Sequence, residues 1–158
     1  MLKFPALMNT GFHLTYFPLT DELRNLVREE NWPEVDKTFQ ALTSPEGRLF
    51  QFLKAFHEFS TIEFIISIRD ADTEWEEDGI WHDDGSRVFA FSLSLTIDTD
   101  KLEGGKLGVK RKNEEHTVLI PTPSFGGIIL FLTGMYGFEH KIHQVTRGKR
   151  IIIAGWCT

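Results

Sequence analysis

Val88-Phe89-Ala90-Phe91-Ser92-Leu93-Ser94-Leu95-Thr96 is the stretch on which the fold class turns. Large apolar residues partly alternate with small ones there, the period-two signature of a β-strand with two unlike faces. Turn signals follow at Asp98-Thr99-Asp100 and Gly104-Gly105, then shorter strand candidates near Leu107 to Lys110 and Thr117 to Ile120. Gly127 to Leu132 and Arg150 to Trp156 read as buried strands. Upstream, Thr61 to Arg69 is rich in Ile, Phe and Thr and reads as another strand. Short strands separated by frequent turns indicate a sandwich or barrel.

The first third has a different texture. Thr20 caps a short helix whose opening Asp21-Glu22 suits the positive helix end. Ser44-Pro45-Glu46 reads as a second helix start, a capping hydroxyl followed by proline at the first helical position. From it, Leu49, Phe50, Leu53, Phe56 and His57 recur at helical spacing and form one apolar stripe. The expectation is a mainly β, α+β chain: one domain over residues 1–158, with a helical buttress at 1–60 and a jelly-roll core at 61–158.

Composition bounds the function. The 158 residues are 41% hydrophobic and 25% charged, ordinary for a globular protein, and include 14 Phe. A net charge of −6 argues against nucleic acid as the partner, because phosphate binding needs a basic face. The single cysteine, Cys157, excludes an internal disulfide and fits a reducing compartment. The N-terminal residues lack the apolar core of a signal peptide, and the longest apolar run, Ile128 to Leu132, is too short to span a membrane. These features predict a cytoplasmic protein with no membrane partner.

His82-Asp83-Asp84 carries the first chemistry. On a strand, residues at i and i+2 point to the same face, so His82 and Asp84 can reach one metal while Asp83 points away. A second imidazole comes from His140 to Arg150, where His140 and His143 lie three apart, face opposite ways on a strand, and cannot both bind. Two His and one carboxylate with open positions opposite is a ligand set that suits Fe(II). Arg150 stands just before the apolar run Ile151 to Ala154, which implies a buried charge in need of a partner. A planar, permanently charged fork suits a carboxylate.

Taken together, Trp81-His82-Asp83-Asp84, Arg87 to Leu95, Gly104-Gly105-Lys106-Leu107, Pro121 to Phe131 and His140 to Arg150 resemble the Fe(II)/2-oxoglutarate oxygenases of the prolyl-4-hydroxylase-like branch. The family stretch H-x-V-x-x-V-x-x-G-x-R is matched by His140, Ile142, Val145, Gly148 and Arg150, with Ile for the first Val. The resemblance implies a double-stranded β-helix of the cupin type and iron held by His82, Asp84 and His140. It also implies 2-oxoglutarate anchored by Arg150, with O2 consumed and succinate and CO2 as co-products of hydroxylation. His143 becomes a neighbour of the site. Two tyrosine positions that serve some relatives are occupied here by Arg69, or a residue near it, and by Ser94, so both join the candidate co-substrate residues and the pocket must be shaped differently. Because Asp84 is present, the halogenating variant of the family is not implied.

The substrate does not carry over; it is a small molecule or a peptide side chain. Eight acids crowd the fifteen positions from Asp70 to Asp84. Such a run is either a solvated loop or a lid whose field draws in a cationic substrate, with Trp75 and Trp81 offering ring surface. Three other readings compete, one of them a non-catalytic binding module, which would not need all three ligands and the anchor. A nucleic-acid demethylase of the related group would carry a second Arg six residues beyond the first, where this chain has Trp156. A metal-binding cupin without 2-oxoglutarate turnover would account for the His and Asp residues but would not need Arg150.

Overall fold

A computed structural model describes residues 1–74 and 79–158. Trp75, Glu76, Glu77 and Asp78, part of the acidic run read as a possible lid, lie outside the described residues.

Every strand pairing in the fold is antiparallel. Five strands form the large sheet in the order β1 (Phe12–Tyr16), β7 (Gly127–Leu132), β3 (Phe89–Ser94), β10 (Arg150–Cys157) and β2 (Ile62–Arg69). A three-stranded sheet runs β6 (Val118–Ile120), β5 (Leu107–Arg111), β8 (Phe138–Ile142). The pair β4 (Glu103–Gly104) and β9 (Val145–Arg147) completes the ladder. Sequence neighbours are rarely sheet neighbours, the mark of a jelly roll, and this is the double-stranded β-helix that the resemblance implies.

The central strands β3 and β7 are buried at every position. On β3 the faces divide cleanly: the Phe89 ring meets Phe59 and His57 on the helical side, while Ala90, Ser92 and Ser94 pair across β10 with Trp156, Ala154 and Ile152 on the opposite face. After a single helical turn, α1 (Leu7–Thr10), three longer helices cover the first face. In α2 (Asp21–Arg28) the Thr20 hydroxyl accepts from Leu23 N at 3.1 Å, as its sequence suggests. In α3 (Trp32–Leu42) Val35 and Phe39, four apart, are fully buried, and Phe39 meets Phe64 of β2. Burying each such side chain stabilises by about 1.5–3 kcal/mol. Gly155 lies between Phe64 and Phe91 in the ladder, and a Cβ there would collide with the Phe91 ring, so this glycine lets an aromatic cross a central strand.

Two local expectations are corrected. The helix placed at Ser44-Pro45 begins later: α4 spans Arg48–Lys54 behind Gly47. The Ser44 hydroxyl instead donates to Ala41 O at 2.8 Å at the end of α3, and Gly47 N closes a turn on Ser44 O. The chain doubles back there so tightly that a Cβ on Gly47 would strike the Leu42 carbonyl. The first third, read as helical, also supplies β1, which adds an edge to the large sheet beside β7. No helix among the described residues is long and apolar enough to cross a membrane.

Candidate metal centre and cavity

The two halves of the site meet through one bridge. His82 and His140 exchange backbone hydrogen bonds, His82 N to His140 O at 3.0 Å and His140 N to His82 O at 2.9 Å. The segment around His82 thus adds to the edge strand β8. His140 is paired on its other side with Val109 of β5, so its imidazole is directed to the interior, where it is 4% exposed and stands 4.6 Å from the Phe131 ring.

Asp84 arrives by a route the period-two reading does not contain. Only His82 pairs in a ladder, and Asp84 has φ of 61°, in the left-handed region, followed by Gly85 at the same angle. A tight turn, rather than a straight strand, brings the carboxylate round. Asp84 Oδ2 stands 3.1 Å from His140 Nε2, and its Oδ1 stands 3.3 Å from His82 Nε2. All three donor groups lie within 4.8 Å of one another. Burial opposes ionisation of Asp84, but its contacts with His140 and then His82 outweigh this and hold the carboxyl well below the usual carboxylate range.

His82 Nδ1 lies 2.7 Å from Ile80 O, and a carbonyl can only accept, so Nδ1 carries the proton. Nε2 is left facing Asp84 and His140, with the ring orientation fixed from behind as metal-ligating histidines require. Two donors about 2.1 Å from one ion and at right angles stand about 3 Å apart. The observed spacings and the two-nitrogen, one-carboxylate set therefore fit a divalent iron-type ion.

Neighbouring residues hold the segment from outside. Trp81 lies over β5 at Gly108, where a Cβ would come within 3.1 Å of it, and Lys110 and Lys141 flank its ring at 4.9 and 5.2 Å. Asp83 points away from the metal donors, as expected, and binds Lys112 Nζ at 2.5 Å. That contact, with the Gly85 amide, holds its carboxyl below the ordinary range. His143 is outside the donor cluster: its backbone N donates to Lys106 O, and its ring sits against Gly108 on the outer side of the small sheet. Burial, then the charges of Lys141 and Lys106, lower its pKa.

A cavity of about 510 Å³ opens beside the imidazoles, walled by Ile65, Phe131, Ile142, Ile152, Ala154 and Trp156, with Ser67, Ser92 and Arg69 as polar lining. Most of this wall is one face of the large sheet. Arg150 belongs to the same face by alternation with Ile152, Ala154 and Trp156, and it is 2% exposed. Its Nε donates to Thr122 Oγ1 at 3.2 Å, and Gly105 leaves room for its stem, since a Cβ there would fall 2.8 Å from Arg150 Cδ. Arg69 is the direct cross-strand partner of Arg150, so two guanidinium side chains share that end of the face. Ser94 is fully buried on the same face opposite Ile152, and its Oγ accepts from Thr96 N at 3.2 Å. Thr122, Gly105, Ser67 and Ser92 escaped sequence reasoning. The serines alternate with Arg69 and Ser94 on their strands, a signal that was available, whereas nothing local marked Thr122.

The profile of the 2OG-Fe(II) oxygenase superfamily matches residues 69–158. No curated protein sequence is detectably similar to the chain. Among solved structures, a Pseudomonas putida prolyl-4-hydroxylase superposes with a TM-score of 0.59 at 17% identity, over 96% of this chain and 89% of that one. A prolyl hydroxylase from Trichoplax adhaerens, solved with a hypoxia inducible factor peptide fragment, gives 0.60 at 14% identity, over 98% and 87%. A prolyl 4-hydroxylase from Phytophthora capsici gives 0.63 at 15% identity, and there the chain spans 95% of itself but 59% of its counterpart.

Proposed function

Because the chain belongs to the 2OG-Fe(II) oxygenase superfamily, we propose that it hydroxylates an organic substrate with Fe(II) held by His82, Asp84 and His140 and 2-oxoglutarate anchored by Arg150. The observation that carries this reading is the convergence of both Nε2 atoms on the Asp84 carboxylate, at 3.1 and 3.3 Å, beside a cavity of about 510 Å³. Iron so held, with 2-oxoglutarate and O2 as co-substrates, would supply the oxidising power for hydroxylation, with succinate and CO2 as co-products.

The chain's own residues bind, orient and exclude water. Arg150 is a buried permanent cation on the cavity face, suited to the carboxylate remote from the metal. Arg69 lies directly opposite and supplies a second guanidinium to the same anion, and Thr122 sets the Arg150 side chain by accepting from Nε. Ser94 contributes a small hydroxyl where a tyrosine serves some relatives. Ile65, Phe131, Ile152 and Trp156 keep the chamber apolar, which strengthens every charge contact inside it. A volume of about 510 Å³ admits a drug-sized molecule or a peptide side chain. The Trichoplax neighbour, holding a peptide, favours the second. In the adjoining cavity of about 270 Å³ Asp70 and Glu74 are matched by Arg69 and Lys141, so its lining gives no net preference for a cationic substrate.

The test is succinate formation from 2-oxoglutarate, with and without Fe(II), by the wild type and by Asp84→Ala. The reading requires iron-dependent turnover that Asp84→Ala abolishes. Turnover equal in the two proteins, or metal binding with no turnover in any substrate panel, would favour the cupin reading without 2-oxoglutarate chemistry.

A further inference from the structure

Between the two donors from one segment stands Asp83, and the fold takes unusual care of it. Its Oδ2 binds Lys112 Nζ at 2.5 Å, and its Oδ1 accepts from Gly85 N at 2.9 Å. Its backbone carbonyl accepts from Gly134 N at 2.8 Å. Gly134 is itself shaped for this approach, since a Cβ there would fall 2.6 Å from Asp83 Oδ2. Lys112 is anchored in turn, its backbone N donating to Gly137 O at 2.8 Å. Two other segments, at Lys112 and at Gly134, therefore close with its own loop on a half-exposed side chain that faces away from the cavity.

The residue that follows is the one that needs holding. Asp84 has φ of 61° without being glycine, a conformation uncommon for residues with a side chain, though aspartate adopts it more readily than most, and one that is kept when the surroundings hold it. The bond from Asp83 Oδ1 to Gly85 N spans Asp84, so it ties the residues before and after the left-handed position to each other. The Lys112 contact fixes where that small loop sits relative to β5, and β5 carries Val109, the ladder partner of His140. Asp83 is thus joined through protein to both sides of the donor set.

We propose that Asp83, gripped by Lys112 and Gly134, is a positioning residue that sets the Asp84 carboxylate against the two imidazoles and thereby sets metal affinity. The inference rests on the reading of His82, Asp84 and His140 as the metal centre. Groups that orient metal ligands typically change affinity by roughly 10- to 100-fold when lost.

The experiment is titration of metal-free protein with Co(II), followed by calorimetry and by the visible cobalt spectrum, alongside thermal unfolding of the metal-free proteins. Asp83→Ala, which loses both side-chain contacts, should weaken Co(II) binding by roughly 10- to 100-fold and alter the spectrum. Asp83→Asn, which keeps an oxygen for the Gly85 amide, should weaken it less. Lys112→Met should resemble Asp83→Asn, and the Asn/Met double variant should be no worse than the weaker single, because both remove one contact. If Asp83→Ala does not fold, the Asn and Met variants carry the comparison. Wild-type affinity and spectrum in Asp83→Asn and Lys112→Met together, or affinity losses fully matched by unfolding of the metal-free variants, would overturn the inference. His140→Ala separates the two failures. If it binds Co(II) as well as wild type, the metal centre itself is misread; if it alone loses binding, only the role of Asp83 falls.

Discussion

Arg150→Ala should weaken 2-oxoglutarate binding by two to more than three orders of magnitude while leaving metal binding in place. The guanidinium is 2% exposed and begins β10 on the cavity face, with Thr122 Oγ1 holding Nε at 3.2 Å. Water therefore cannot replace it around a bound carboxylate. Removing one partner of a buried charge pair costs about 3–5 kcal/mol, which at about 1.4 kcal/mol per decade is roughly 10²- to 5 × 10³-fold in affinity. Arg150→Lys keeps the charge but loses the planar fork. Forfeiting one hydrogen bond to a charged group, about 1.5–3 kcal/mol, predicts a loss of roughly 10- to 150-fold. The assay is calorimetric titration of 2-oxoglutarate into Mn(II)-loaded protein, which binds without turning over, with Mn(II) affinity measured separately as the control for folding. The expected order is wild type, then Lys, then Ala, at nearly constant Mn(II) affinity. Equal 2-oxoglutarate affinity in all three, with metal still bound, would remove Arg150 from the co-substrate site and leave the apolar cavity without its anion anchor.

Three more outcomes follow from the same geometry. His140→Ala should abolish Fe(II)-dependent succinate formation, whereas His143→Ala, altered against Gly108 outside the donor cluster, should keep much of it; the reverse result would exchange their roles. Gly105→Ala should lower stability and weaken 2-oxoglutarate binding together, because φ is 68° and the new Cβ meets Arg150 Cδ at 2.8 Å. The left-handed backbone costs about 1–2 kcal/mol and overpacking about 1–3 kcal/mol, readable by urea unfolding. Burial pushes the Cys157 thiol well up from its ordinary value. The folded state then holds its proton more tightly, so this contribution to stability is complete below about pH 8.5 and is lost as pH rises above it, by up to about 1.4 kcal/mol per pH unit. Unfolding between pH 7 and 10.5 should show that slope in wild type and a shallower one in Cys157→Ala.

How much of the fold was readable follows from how local each cause was. Strands β3, β7 and β10 are buried on both sides and rich in branched and aromatic residues, so period and composition reveal them without tertiary context. Strand β1 is an edge strand in which Leu14 and Tyr16 are exposed and Phe12, His13 and Thr15 half-buried, and it exists because β7 offers a ladder, which no local pattern announces. The start of α4 was misplaced because Ser44 and Pro45 carry the chemistry of a cap, yet the Ser44 hydroxyl is used by the helix behind it. A capping residue between two closely spaced helices can serve either one, and only the path of the chain at Gly47 decides which.

The site divides along the same line. That His82 and Asp84 meet an imidazole from the His140 segment was legible because the ligand chemistry demands two imidazoles and a carboxylate, while the choice of His140 over His143 came from the family resemblance of His140 to Arg150. The reason first given for the pair His82 and Asp84, alternation on a strand, was incomplete. A straight strand would leave Asp84 with extended backbone, and the carboxylate reaches the imidazoles only because the chain turns left-handed at Asp84 and Gly85. An aspartate-glycine pair is one of the few sequences that accepts two such residues in succession, so Asp84-Gly85 held that information, read only as a metal motif. Arg69 is the opposite case. The resemblance put it, or a residue near it, at a co-substrate position, but its placement beside Arg150 depends on the register of β2 on β10, in which Arg69 is opposite Arg150 and Ile62 opposite Cys157. A slip of one residue would turn Arg69 to the helical face. Phe64, packed against Phe39 on the helical face, would leave that contact on such a slip, so the packing of the buttress favours the register that turns Arg69 to the cavity.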